Sequence, residues 1–115
     1  MVLSQKQALF SVLVAKLILF AHSKGWALTF GEAYRSPEEA ARLAAAGKGI
    51  AQSLHTKRLA VDLNLFINGV YQTDSAAYKP LGEWWEAQST EAYECAWGGR
   101  FKDGNHFSLA HGGRK

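Results

Sequence analysis

The sequence predicts an α+β fold: a small, mostly antiparallel sheet with flanking helices. Three observations carry this. Helix-like segments dominate the first 47 residues and strand-like segments dominate the rest. Residues 59–67 alternate cleanly between apolar and polar, the period of a half-buried strand. Asn68-Gly69 follows at once, the strongest short signal for a hairpin and hence for antiparallel neighbours.

The elements follow in order. Residues 4–24 read as a helix, with Ser4 and Gln7 as a capping box and Lys24-Gly25 as its end. The run Ala8 to Ala21 is strongly apolar, which suggests a nearly buried core helix. Lys16 interrupts the run and no compact basic region precedes it, so no signal peptide is expected. The stretch also reads as too short to span a bilayer. Trp26 to Phe30 reads as a strand. Ser36-Pro37-Glu38-Glu39 starts a second helix, with a serine cap, proline in the first turn and glutamate three residues after the cap. Gly47-Lys48-Gly49 is a loop. In the strand 59–67, Val61, Leu63, Leu65 and Ile67 share one face; Ala60, Asp62, Asn64 and Phe66 share the other. Val70-Tyr71-Gln72 returns from the hairpin, and 73–79 is a loop. Pro80 opens a short helix with Trp84 and Trp85, one of them facing the core and the other free to line a cleft. Residues 93–97 and 105–110 form a last pair of strands, and the tail from His111 is expected to be loose.

The chain has 115 residues, 48% of them apolar and fourteen aromatic, enough for a single domain, 1–115, with one core. The net charge of +3 is mild and scattered. No basic stripe with interleaved aromatics is present, so no nucleic-acid partner is expected; nor is membrane insertion. Cys95 is alone and sits in an apolar run, as a buried structural cysteine does.

One polar set stands out. Asp62 lies in an apolar strand, where a carboxylate is costly without a partner. In the last strand Phe107 and Leu109 take the apolar face, which turns His106 to the same polar side as Asp62. His55 precedes the Asp62 strand by a short turn. Two imidazoles and a carboxylate suit Zn²⁺ with one open position, the pattern of catalytic zinc. Asp103 lies three residues before His106, where it could act as a general base. Each residue also has a plain structural reading: Asp62 paired with Arg35 or Arg58, His106 a hydrogen-bonded strand residue, His55 a loop residue.

The motifs add a family. Ser53-Leu54-His55-Thr56-Lys57-Arg58-Leu59-Ala60-Val61-Asp62 resembles the Ser-x-His-x(6)-Asp signature of the D-alanyl-D-alanine metallopeptidase and hedgehog-like group. Asp103-Gly104-Asn105-His106-Phe107 resembles its second signature. Gly31-Glu32-Ala33-Tyr34-Arg35-Ser36 and Trp97-Gly98-Gly99 are similar to segments of the phage endolysin L-alanyl-D-glutamate endopeptidases. The resemblance implies that His55, Asp62 and His106 bind Zn²⁺ and that Asp103 is the base. It implies that Arg35 holds substrate or oxyanion and that Ser53 contacts substrate. Trp97, beside two glycines, could form a wall of the cleft for a flexible peptide or equally pack in the core. The implied function is hydrolysis of peptidoglycan stem peptides, by a monomer made in the cytoplasm and reaching the wall after holin-type release. The alternatives are a D,D-carboxypeptidase or dipeptidase acting on D-Ala-D-Ala, and a zinc-stabilised binding module without catalysis. One departure is the absence of glycine from Thr56-Lys57-Arg58-Leu59, where many relatives have one. That turn is expected to form without positive φ.

Overall fold

The computed structural model describes all 115 residues. It contains three helices, α1 (Leu3–Ser23), α2 (Pro37–Ala45) and α3 (Lys79–Glu86), and five strands, β1 (Ala27–Phe30), β2 (Ala60–Ile67), β3 (Val70–Tyr71), β4 (Cys95–Trp97) and β5 (His106–Leu109). The sheet order is β1-β2-β5-β4, with β3 pairing the far end of β2. Every pairing is antiparallel, as the hairpin signal and late strands predict. Asn68 and Gly69 both have positive φ, 51° and 76°, the demand of a two-residue hairpin turn.

The alternation in β2 divides the molecule. Val61, Leu63 and Leu65 are buried with Phe107 and Leu109 of β5. They meet α1 through Phe10, Leu13, Val14, Leu17 and Ala21 and α3 through Leu81 and Trp85. Trp85 lies edge-on to Phe10 and Phe107, at 5.8 and 6.0 Å between ring centres. The opposite face carries Asp62 and His106, which stand directly across from each other in the register.

Several expectations need correction. Helix α1 is not nearly buried: its inner residues recur at helical spacing, while Val12 and Leu19 face outward. By length and composition α1 is also long and apolar enough to cross a membrane, contrary to the estimate from its apolar run alone. Its first turn is not capped by Ser4 and Gln7. Val2 takes the cap position and its N–H donates to the Gln5 side chain at 3.0 Å, while Gln7 donates to the Lys57 carbonyl at 2.9 Å. The segment 73–79 is not a plain loop but a 3-10 turn over Ser75–Tyr78 running into α3. The tail is not loose. His111 and Arg114 exchange two backbone hydrogen bonds of 3.0 Å across Gly112 and Gly113, both at positive φ. Lys6 reaches His111 at 3.2 Å, and Lys115 pairs with Glu94 at 2.7 Å.

Candidate metal centre and cleft

His55 sits in a 3-10 turn, Leu54–Lys57, capped by Ser53, whose hydroxyl accepts from the His55 N–H at 3.2 Å. The turn ends at Arg58 in the left-handed region, φ 54° and ψ 36°. The expectation of a turn without positive φ is therefore wrong. Arg58 carries the strained position, and its guanidinium lies 4.1 Å from the centre of the Tyr34 ring, a favourable cation–π contact. The position that glycine would fill at no steric cost is thus held by an arginine.

Asp62 is fixed from the β1 side. Its N–H donates to the Glu32 carbonyl at 2.8 Å and its carbonyl accepts from Gly31 at 2.8 Å. On the β5 side Asp62 and His106 therefore form a pair without backbone hydrogen bonds to each other, the kind whose side chains approach most closely. His106 is set by the turn before it: Asp103 N–H donates to the Gly98 carbonyl at 2.9 Å, and His106 N–H to the Asp103 carbonyl at 3.1 Å. Gly98 is required there, since a Cβ on it would lie 2.3 Å from the Asp103 oxygen and 2.7 Å from the His106 Cβ.

The three donors converge. His55 Nε2 lies 3.5 Å and His106 Nδ1 3.3 Å from Asp62 Oδ1, and one ligand atom from each residue falls within 4.8 Å of the others. Two ligands on a tetrahedral zinc, with bonds of roughly 2.0–2.1 Å, stand about 3.3 Å apart, so the two measured edges fit such an ion. His55 Nδ1 faces the Ala33 carbonyl at 2.8 Å. That contact keeps a proton on Nδ1 and turns Nε2 to the site, where it can donate a proton to Asp62 without metal or offer a lone pair to an ion. The plain reading in which Asp62 pairs with Arg35 or Arg58 does not hold. Arg35 pairs with Glu32 instead.

Charge follows from this packing. Burial pushes the Asp62 carboxyl up, but hydrogen bonds from His106 and His55 outweigh it and hold the group at about 2. Burial pushes His55 down; its contacts with Asp62 and the Ala33 carbonyl, and the Asp62 and Glu32 charges, outweigh that and raise it. Asp103 is raised by partial burial and by Asp62, against the influence of His106. Its side chain is 61% exposed, so water screens these influences. Asp103 Oδ2 stands 4.0 Å from His106 Nδ1, beside the donor set.

These residues open on a cleft of about 310 Å³, lined by Arg35, Ser53, His55, Asp62, Asp103 and His106 among others. Trp97 is not one of its walls. It is 5% exposed, its indole N–H donates to the Gly104 carbonyl at 2.7 Å, and its ring fills the space left by Gly82 and Gly99. Trp84 does not line the cleft either; it stacks on Phe20. Cys95 is buried, and burial lifts its thiol to about 11, too high for a nucleophile. The sequence reading missed the Ala33 carbonyl, for which no sequence signal exists. It also missed the rim residues Ile50, Phe101 and Arg114.

The sequence pattern of one protein family, described as D-alanyl-D-alanine carboxypeptidase, matches residues 46–109, more than half of the chain. The chain belongs to that family. Its members, the M15 peptidases, are typically zinc-dependent, and the His55–Asp62–His106 group of this M15 peptidase could hold such an ion. The matched stretch includes Ser53 and Asp103 as well as all three donors; Arg35 precedes it. No curated protein sequence matches the chain.

Proposed function

We propose that this M15 peptidase is a zinc-dependent L-alanyl-D-glutamate endopeptidase acting on peptidoglycan stem peptides. The carrying observation is that three metal-ligand side chains and a free carboxylate, Asp103, meet at the base of one open cleft. His55, Asp62 and His106 would hold the ion. A bound zinc ion supplies Lewis-acid polarisation of the scissile carbonyl and lowers the pKa of a water at its open position. Asp103, solvent-accessible and beside the donor set, takes the proton of the attacking water and returns it to the leaving amine. Arg35 lines the cleft with its charge partly offset by Glu32, and offers positive charge where the carbonyl oxygen becomes negative. Ser53 lies in the cleft wall. Its hydroxyl oxygen caps His55, so its proton is free to donate to substrate.

The endopeptidase reading is supported by the Gly31–Ser36 and Trp97-Gly98-Gly99 segments and by Asp rather than Glu at 103. The family description favours a second reading, cleavage at D-Ala-D-Ala ends. The test is zinc content together with product analysis on defined muropeptides, with and without chelator. One zinc per chain and chelator-sensitive release of an L-alanine carboxyl terminus supports the endopeptidase. Release of free D-alanine supports the carboxypeptidase. Zinc without cleavage supports a binding module. His106→Ala should lose both zinc and cleavage; full activity in that variant would overturn the ligand assignment.

A further inference from the structure

The rim of the cleft carries a charge pattern that the metal centre does not use. Four cations line it: Arg35, Lys48, Arg114 and Lys115. Arg35 is paired with Glu32 and Lys115 with Glu94. Lys48 and Arg114 have no carboxylate within ion-pair distance. The acids in the lining are Asp62 and Asp103, one in the donor set and one beside it.

Arg114 is held in place rather than free. The glycine turn folds the tail back onto itself, and the Lys6 and Glu94 contacts fix it on both sides. The guanidinium donates to the neutral Gln52 side chain at 2.5 Å, which ties the tail to the loop that bears Lys48. One of its five N–H donors is used there; a carboxylate is the group that the rest fit as a fork. Two uncompensated cations at the mouth of a partly enclosed cleft also raise the local concentration of anions.

We propose that Arg114 and Lys48 form a carboxylate subsite that selects substrate peptides bearing a free acid at a position distant from the scissile bond. The proposal rests on the peptidase reading for the identity of its ligand. Arg114 is the specificity-determining residue, because its planar fork sets direction as well as charge; Lys48 adds a point charge.

The test uses the zinc-loaded full chain and two stem peptides alike except that one carries a free side-chain carboxylate and the other its amide. Cleavage and equilibrium binding are both measured. The expected result is an approximately tenfold preference for the acid peptide, the size of one charge-assisted hydrogen bond. It should appear in KM more than in kcat, since contact far from the reacting atoms binds substrate and transition state alike. In Arg114→Gln the ratio should fall to within about twofold of unity, and Lys48→Gln should lower it in part. Arg114→Lys should retain part of it. Thermal melts report whether each variant is folded. An unchanged acid-to-amide ratio in Arg114→Gln overturns the subsite, as does equal weakening toward both peptides. If neither peptide is cut but the acid peptide still binds better in an Arg114-dependent manner, the subsite stands and the peptidase reading fails. Tight binding of an anionic wall polymer, with no discrimination between the peptides, would overturn it as well.

Discussion

Gly98→Ala should damage the metal centre from outside the ligand set. The added Cβ would lie 2.3 Å from the Asp103 carbonyl oxygen and 2.7 Å from the His106 Cβ. Ordinary contacts of these kinds need about 3.2 Å and more than 3.5 Å, so each neighbour must retreat by roughly 1 Å. Neither is a flexible chain end. The Asp103 oxygen accepts the His106 N–H, and the Asp103 N–H is bound back to Gly98, so the turn moves as one piece and takes His106 with it. Overpacking of this kind costs about 1–3 kcal/mol, or roughly 4–12 °C in Tm for a domain of this size. Misorienting a ligand costs about 10–100-fold in metal affinity. The informative control is Gly82→Ala, whose Cβ would lie 2.0 Å from the Trp97 ring, in the packing between α3 and β4. It should lose comparable stability without direct contact with a ligand. Zinc competition against a chromogenic chelator, with melts of the metal-free proteins, separates the two effects. Gly98→Ala should lose affinity and stability, and Gly82→Ala mainly stability. Zinc affinity in Gly98→Ala within twofold of the unmodified chain would refute the coupling of this turn to His106.

Asp103→Asn should keep zinc and fold while kcat drops about 10²–10⁴-fold, the usual worth of a general base; near-normal turnover would assign the base elsewhere. Arg58→Gly and Arg58→Ala both lose the contact with Tyr34, but only glycine relieves the left-handed φ. The glycine variant should be more stable than the alanine variant by about 1 kcal/mol in urea unfolding, and the reverse order would refute strain at this turn. The metal-free protein should weaken in acid because of Asp62. Its carboxyl lies at about 2 when folded against an ordinary 3.8. The contribution is therefore complete above 3.8 and is lost as pH falls through 2, in total roughly 2 kcal/mol. Urea unfolding between pH 5 and 2 should show less acid weakening in Asp62→Asn than in the unmodified chain; parallel curves would refute the pairing.

The legible parts of this fold are those where one local rule decides the outcome. The period of β2 separates Asp62 from Leu63, and Asn68-Gly69 closes the hairpin. Phe107 and Leu109 turn His106 to the polar face. The parts that misled are those where a distant partner decides. Ser4 and Gln7 have the spacing of a capping box, yet Gln7 is taken by the Lys57 carbonyl. Trp97 beside two glycines looks like an exposed wall. Of those two, Gly98 makes room for the Asp103 carbonyl and His106, while Gly99, with Gly82 of α3, makes room for the buried ring. The tail looks disordered by composition, and Lys6 and Glu94, far away in the chain, order it. Arg58 at positive φ is a case where propensity is overruled by the closing of a turn that also positions His55.

The placement of the donors follows from the ladder itself. In an antiparallel sheet each residue turns its backbone groups to one neighbour only, and cross-strand pairs alternate between hydrogen-bonded and close non-bonded ones. Asp62 spends its N–H and carbonyl on Glu32 and Gly31, so toward β5 it presents the closer kind of pair, with Cα atoms about 4.5 Å apart. His106 stands across from it. A slip of one residue between β2 and β5 would turn the carboxylate and the imidazole to opposite faces and put one of them among Leu17, Trp85 and Phe107. The apolar face therefore enforces the register on which the donor pair depends. His55 is bound into the same geometry from outside the sheet, since its N–H caps on Ser53 and its ring is held by the Ala33 carbonyl. The core stabilises the register, and the register sets two of the three donors. The remaining donor is held from outside the sheet, by the Ser53 cap within its own turn and by the Ala33 carbonyl and Arg35 N–H of the segment after β1, so substitutions that move that segment should disturb His55 without disturbing the Asp62–His106 pair.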